Sequence, residues 1–307
     1  MANALHHNFS GWRVVVFGAG YVGSEVVRAA AAGGASVCAL TRNPAVAGQL
    51  ASQGVQVHVG NLAGDDWHGA FDGDFDLVVD CVGAGGSEIE GYRESYLLGM
   101  HSILRWCAGR GVGTLVYTSS TSVYAQGDGA RIDEHAEASG RSPQSQVLVA
   151  TEEALLSTEV ARRRVVLRLA GIYGPARHHL LDLVRSGATE VAGVPGQHLN
   201  VIHRDDVVGA IMAVARAGEL PATAVFNVCD DGEATRGEIL GWLCGELGRP
   251  ALRFAGVAPE GGRAPVPDRI ISNAWIKQSL GWRPGYRSFR DGYAGLLGSP
   301  EDRGARK

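Results

Sequence analysis

Three glycines near the start of the chain have the spacing of a backbone turn that binds phosphate. They are Gly18, Gly20 and Gly23, and Tyr21 and Val22 lie between the last two. In such a turn the first glycine permits the tight bend, the second lets a pyrophosphate approach the backbone, and the third lets the next helix pack closely. The pattern predicts a dinucleotide-binding turn, and a plain tight strand-to-helix turn is the alternative.

The residue that contacts the cofactor's adenosine ribose is expected just after the second strand. The chain there contains Thr41, Arg42 and Asn43, with no carboxylate to hold a ribose 2′-hydroxyl. An arginine at this place can pair with a 2′-phosphate instead. We therefore predict NADP as the cofactor in preference to NAD. The alternative is that Arg42 is a solvated loop charge.

The elements that must position these residues follow a regular rhythm. Short β-branched runs at 13–17, 36–40, 55–59, 77–81, 114–118 and 164–169 alternate with helical patterns such as 21–32 and 92–107. This alternation is typical of βα units in a parallel sheet. The sequence therefore predicts an α/β, Rossmann-like, doubly wound parallel sheet, with the glycine turn directly after its first strand.

Later strand ends extend the predicted cofactor cleft. Asn61 and Leu62 follow the third strand, and Cys81, Val82 and Gly83 follow the fourth. Ligands of open α/β sheets bind beyond the carboxyl ends of the strands. These residues are therefore expected to flank the adenine and ribose.

The pattern loosens after residue 169 into glycine- and proline-rich segments. We expect a dinucleotide-binding domain over 1–170, to which 200–230 return, and a small C-terminal substrate lobe made mainly of 171–307. No His, Cys or carboxylate cluster has metal spacing, so no metal site is predicted. The five cysteines have no paired spacing and are expected to be reduced.

The composition is that of an ordinary globular protein. The 307 residues carry a formal net charge of -4, and 45% are hydrophobic and 20% charged. These values imply no attraction to nucleic acid or membrane, and no apolar stretch approaches the roughly 18 residues that span a bilayer. We expect a small-molecule substrate as partner and a cytoplasmic location.

Motifs spread along most of the chain resemble one known family. Residues 116–124 (VYTSSTSVY) look like the fifth-strand signature of the extended short-chain dehydrogenase/reductases, the NAD-dependent epimerase/dehydratase superfamily. Supporting segments are 168–175 (RLAGIYGP), 200–206 (NVIHRDD), 226–228 (FNV) and 280–282 (LGW). The resemblance implies a nicotinamide cofactor held by residues including Thr118, Ser119 and Tyr173.

The resemblance also implies catalytic residues, of which this chain has only one. A serine of the signature orients the substrate oxygen in that family, and it corresponds to Ser120. A tyrosine acidified by a lysine four residues later then transfers the proton, but residues 142–156 contain neither type, and the chain's only lysines are Lys277 and Lys307. The chain therefore resembles the atypical branch of the superfamily.

Losing a positioned acid or base costs about 10²- to 10⁴-fold in rate, so we consider substitutes. Tyr124 follows Ser120 by four residues, and its phenol is a candidate to face the substrate. His178, beside His179, follows Gly174 in the loop expected to cover the nicotinamide, where a histidine can act as an acid. The alternatives are a tyrosine that only lines the pocket and a solvated loop histidine.

Three functions fit these observations. The first is an NADPH-dependent reductase, epimerase or dehydratase of a small carbonyl or sugar-like metabolite, with Ser120 positioning the substrate and a non-standard proton relay. The second is a non-catalytic protein that senses or binds dinucleotide. The third is a dinucleotide-binding enzyme of a non-redox isomerisation or cyclisation. The hydroxyl-rich segment favours an enzyme, and the missing pair favours the other two.

We also predict a homodimer. The resemblance implies a four-helix contact through helices near 92–107 and 145–156, and the second is apolar at Val147, Leu148, Leu155 and Leu156. Light scattering at micromolar concentration is expected to give twice the chain mass of 32.2 kDa. A monomer would contradict this prediction.

Overall fold

The computed structural model describes residues 8–256 and 267–298. The strands in these ranges are β1 (Arg13–Phe17), β2 (Ser36–Thr41), β3 (Gln56–Val59), β4 (Phe75–Asp80), β5 (Val112–Ser120), β6 (Ala130–Ile132), β7 (Arg163–Leu169), β8 (Gly171–Tyr173), β9 (Glu190–Val191), β10 (Val201–His203), β11 (Thr223–Val228), β12 (Arg253–Phe254) and β13 (Arg269–Ile271). The helices are α1 (Gly23–Ala32), α2 (Pro44–Ala51), α3 (Ile89–Tyr92), α4 (Gly99–Cys107), α5 (Pro143–Leu156), α6 (His179–Arg185), α7 (Arg204–Arg216), α8 (Arg236–Glu246), α9 (Ala274–Leu280) and α10 (Phe289–Leu297), and a π-helical segment (Arg93–Leu98) joins α3 to α4.

The central sheet confirms the predicted fold class. It has seven strands in the order β11-β7-β5-β4-β1-β2-β3, and every neighbouring pair is parallel. The chain moves outward from β1 first through β2 and β3 and then through β4, β5 and β7. The strand order therefore reverses beside β1, which is where open α/β sheets form a ligand crevice.

Alternating side chains of β1 show how the sheet separates two buried layers. Val14 and Val16 pack into one hydrophobic cluster, whereas Val15 and Phe17 pack into a second one on the opposite face. Successive side chains of a strand point to opposite faces, and a sheet covered on both faces needs apolar residues at every position. The uninterrupted apolar run of this strand follows from that burial.

A third cluster forms the core of a smaller lobe. It joins α6, α8 and α10 through buried residues such as Leu181, Leu243 and Phe289. Outside the central sheet there are three two-stranded parallel pairs: β9 with β12 lies within this lobe, and the others are β8 with β10 and β6 with β13.

The apolar residues behind the dimer prediction are largely used inside the chain. Leu148 and Leu155 belong to the chain's own hydrophobic clusters, Val147 is buried, and Leu156 is half-buried. The homodimer stays a prediction. Among the described residues, no helix combines the length and apolar character that crossing a membrane requires.

We expect Trp106→Ala to be one of the costlier core substitutions. Its indole is fully buried between Phe17 and Phe75 and donates a hydrogen bond of 3.2 Å to Phe71 O. The cavity and the lost bond should lower the free energy of unfolding by about 3–5 kcal/mol in a urea titration followed by circular dichroism. Trp275→Ala is the control because its side chain is 46% exposed, and a similar loss in that variant would contradict the account.

Candidate functional site

A cavity of about 1130 Å³ opens beyond the carboxyl ends of the central strands, between the sheet and the smaller lobe. Almost every residue predicted to hold the cofactor lines this cavity, and Gly23 is the exception. The predicted cofactor residues that line it are Gly18, Gly20, Tyr21, Val22, Thr41, Arg42, Asn61, Leu62, Cys81, Val82, Gly83, Thr118, Ser119 and Tyr173, and the predicted catalytic Ser120 lines it as well.

Each of the three glycines in the turn occupies a position where the absence of a side chain has a different effect. Gly18 has φ +81°, and a Cβ there would lie 2.6 Å from Val82 N, so this residue permits both the bend and the close approach of the segment that follows β4. A Cβ on Gly23 would overlap the carbonyl of Gly18, so this residue seats α1. A Cβ on Gly20 would meet nothing nearer than 3.9 Å, which leaves its backbone open to a ligand.

Tyr21 places an aromatic ring within the same turn. Arg177 and Arg204 lie over this ring at 5.4 and 5.1 Å from its centre. Burial, partly offset by the two arginines, raises the pKa of the Tyr21 phenol to about 12, so the hydroxyl stays protonated. That buried hydroxyl has no hydrogen-bond partner among the described residues.

Arg42 directly follows β2, where the ribose contact is expected. Asn43 begins α2, and its side-chain oxygen accepts bonds from Ala45 N and Val46 N at 2.9 and 3.4 Å. Arg42 makes one long contact of 3.4 Å to Gly83 O and no ion pair with a described residue. Its charge is therefore available to a ligand in the cavity.

The charges that line the cavity are all of one sign. Arg42, Arg177 and Arg269 line it together with His179 and His198, and no aspartate or glutamate of the described residues does. Burial, followed by the charge of Arg236, lowers the pKa of His179. The cavity is suited to ligands that carry phosphate or carboxylate.

The two serine hydroxyls at the end of β5 have different roles. The Ser120 hydroxyl oxygen accepts a bond of 3.1 Å from Ser122 N and begins a short 3₁₀ turn, which leaves its hydrogen able to point at a ligand. The Ser119 hydroxyl donates a bond of 2.5 Å to Glu152 Oε1.

A buried ion pair that the sequence analysis missed lies behind Ser119. Arg168 on β7 donates to Glu152 Oε2 from Nη2 at 2.7 Å and from Nε at 3.1 Å, and both residues are buried. Two sequence signals were available. Glu152 shares the buried side of α5 with Leu148 and Leu155, and Arg168 stands in a strand with no exposed residue.

The structure does not bring Tyr124 or His178 into the cavity. Tyr124 is 1% exposed, its hydroxyl donates to Asn227 Oδ1 at 2.8 Å, and the same hydroxyl oxygen accepts from Arg168 Nη1 at 2.9 Å. His178 is buried with Nδ1 2.9 Å from an Asp182 carboxylate oxygen, and its neighbour His179 lines the cavity instead. Neither side chain therefore lines the cavity, and the geometry gives no support for the catalytic role predicted for either.

The helix that should carry the catalytic pair contributes nothing to the cavity wall. The sequence of α5 is PQSQVLVATEEALL, with no tyrosine or lysine, and none of its residues lines the cavity. Among the described residues, no group of three or more potential ligands could hold a metal ion.

Comparison with known proteins identifies the family. The model of the NAD-dependent epimerase/dehydratase family matches residues 14–229, and the chain belongs to this family. No curated protein matches it.

Solved structures show the same fold over nearly the whole chain. MoeE5 in complex with UDP-glucose and NAD is 23% identical, with a TM-score of 0.78 over 92% of this chain and 96% of that one. UDP-glucuronic acid 4-epimerase from Bacillus cereus is 18% identical with a TM-score of 0.79 over the same shares. DesIV, a dTDP-glucose 4,6-dehydratase from Streptomyces venezuelae, is 22% identical with a TM-score of 0.77 over 93% and 95%.

The buried ion pair predicts a large difference between two adjacent glutamates. Glu152→Gln leaves the Arg168 charge buried without a carboxylate, which should lower the free energy of unfolding by about 3 kcal/mol. Glu153→Gln, one residue along the same helix but exposed, should change it by less than about 0.5 kcal/mol. Urea unfolding measures both, and equal stabilities would show that the pair does not hold α5 to the sheet.

Proposed function

We propose that this protein is an NADP-dependent enzyme that reduces, epimerises or dehydrates a small carbonyl or sugar-like metabolite without the usual tyrosine and lysine. The observation that carries the proposal is that the glycine turn, Arg42 and Ser120 line the same cavity. No aspartate or glutamate of the described residues lines it. A substrate and a dinucleotide can meet there beyond the strand ends.

The residues present fit a dinucleotide. The turn from Gly18 to Gly23 leaves its backbone open at Gly20, and α1 begins at the end of the turn, so its N-terminus favours the negative pyrophosphate. Arg42 is free of ion pairs with described carboxylates and follows the strand that should lie beside the adenosine ribose. This supports NADP, whose 2′-phosphate gives that arginine a partner.

The bound cofactor supplies the hydride chemistry, and the chain supplies binding, orientation and exclusion of water. Ser120 is suited to orient a substrate oxygen because its own oxygen already accepts a backbone bond and its hydrogen is free to donate. Arg177 is suited to an anionic substrate in the same cavity. The structures of similar fold that hold UDP-glucose and UDP-glucuronic acid support a sugar nucleotide as the class to assay first.

The second candidate function is a dinucleotide-binding protein that catalyses no redox step. The specific observation in its favour is that α5 places no residue at the cavity. A reductase should change the absorbance of the dinucleotide at 340 nm, whereas an epimerase or dehydratase should return the hydride and change only the sugar nucleotide, with loss of deuterium or its transfer through the cofactor when the reacting carbon is labelled. A sensing protein should bind the dinucleotide and change neither, and an enzyme of non-redox isomerisation or cyclisation should convert its substrate without any hydride transfer.

Cofactor choice tests the proposal through one arginine. Arg42→Ala should weaken NADPH binding by about 10- to 100-fold, the equivalent of one charged hydrogen-bonded contact, and leave NADH binding unchanged. Fluorescence titration of both nucleotides measures this selectivity, and Arg162→Ala, an exposed arginine that does not line the cavity, is the control. Equal affinity of the unaltered chain for both nucleotides would contradict the NADP assignment, and failure to bind either would contradict the proposed function.

A further inference from the structure

A histidine and a carboxylate form a pair in the part of the cavity wall that the smaller lobe supplies. His198 lines the cavity, and its ring Nδ1 lies 2.9 Å from Asp268 Oδ1. The backbone N–H of His198 donates to the same oxygen at 2.8 Å. One carboxylate oxygen thus holds both the main chain and the ring of the histidine.

The pair fixes which ring nitrogen carries the proton. Two hydrogen bonds from His198, led by the one from its backbone, lower the pKa of Asp268, so the carboxylate is ionised at neutral pH and can only accept. In the neutral ring, Nδ1 is then the nitrogen that carries the proton, and Nε2 has the lone pair. Nε2 makes no hydrogen bond to a described residue, and the side chain is 25% exposed.

The two segments that carry the pair are tied to each other. The Asn200 side chain donates to Arg269 O at 2.9 Å and accepts from Ile271 N at 2.8 Å, so it fixes the segment after His198 against β13. Asp268 immediately precedes that strand. The position of the His198 ring is therefore fixed by contacts to β13 and to the residue that precedes it.

Hydrogen bonds also join β13 to the segment that follows Ser120. The buried Arg269 guanidinium donates to Thr121 O at 2.9 Å and to Tyr124 O at 2.7 Å. Thr121 directly follows Ser120, and Ser120, Arg269 and His198 all line the cavity. A substrate oxygen oriented by Ser120 is therefore held in a volume whose wall also includes the histidine.

We propose that His198, oriented by Asp268, is the proton acceptor and donor of this cavity and takes the role left vacant by the missing tyrosine and lysine. In the oxidation of a substrate alcohol, the hydroxyl proton passes to His198 Nε2 and the carbon-bound hydride passes to NADP⁺, which leaves a ketone, NADPH and an imidazolium. The proton returns from the same nitrogen when the ketone is reduced. Asp268 acts as a positioning residue. This inference rests on the proposed function.

The tautomer of His198 tests the inference without any substrate. Ring-¹⁵N labelling of the full chain, with the His198→Gln spectrum to assign the signal among ten histidines, should show that the neutral ring carries its proton on Nδ1 and none on Nε2. Asp268→Asn should reduce the Nδ1-protonated fraction. Asp182→Asn is the matched control, because Asp182 pairs with His178 and should leave the His198 signal unchanged. A neutral His198 ring with its proton on Nε2 in the unaltered chain, or no response to Asp268→Asn, would overturn the inference.

Turnover separates this inference from the proposed function. On a sugar nucleotide that the unaltered chain oxidises, His198→Gln should lower kcat by about 10²- to 10⁴-fold and leave the Kd for NADPH within about twofold. Asp268→Asn should lower kcat less than His198→Gln does. Unchanged kcat in His198→Gln would overturn the role of the histidine and leave the proposed function standing. Failure of the unaltered chain to bind NADPH would overturn the proposed function, whereas the tautomer result would still hold.

Discussion

The buried ion pair between Glu152 and Arg168 decides how the site is arranged. Two charges taken out of water must be paired and hydrogen-bonded, because an unpaired charge in the core costs several kcal/mol. Glu152 satisfies Arg168 and also accepts from Ser119, while Arg168 donates to Tyr124. The pair therefore joins α5, β5 and β7 directly behind the hydroxyl-rich wall of the cavity.

This arrangement explains why the chemistry has to come from elsewhere. The phenol of Tyr124 is engaged by Arg168 and Asn227 and is not available to a ligand. The helix α5 faces the core with its carboxylate and apolar residues, and it has no catalytic group to offer. The ionisable groups that do reach the cavity come mainly from the smaller lobe and its connections, and these include His179, His198 and Arg269. A proton relay by a residue of the smaller lobe is consistent with this division of the cavity lining.

Local sequence patterns predicted the fold and a group of residues that line one cavity. The alternation of β-branched runs and helices specified the sheet, because burial on both faces demands continuous apolar strands. The glycine turn was recognisable because Gly18 and Gly23 have no room for a side chain, and Arg42 was placed by its position after β2.

The side chains that the sequence misplaced depend on partners far away in the chain. Tyr124 is held by Asn227, which lies 103 residues further along. Which of the two adjacent histidines lines the cavity depends on where α6 begins. His179 lines the cavity, whereas the side chain of His178, one residue earlier, lies against Asp182. His198 and Asp268 are 70 residues apart, so no spacing rule brings them together. Contacts of this kind arise from tertiary packing and leave no periodic signal.

The most direct test of the account is a crystal structure of the full chain grown with NADP⁺. We expect the pyrophosphate against the backbone of Gly20, the 2′-phosphate at the Arg42 guanidinium, and the nicotinamide in the part of the cavity between Ser120 and His198. A cofactor that leaves Arg42 without a phosphate contact, or a nicotinamide site filled by protein side chains, would contradict the account.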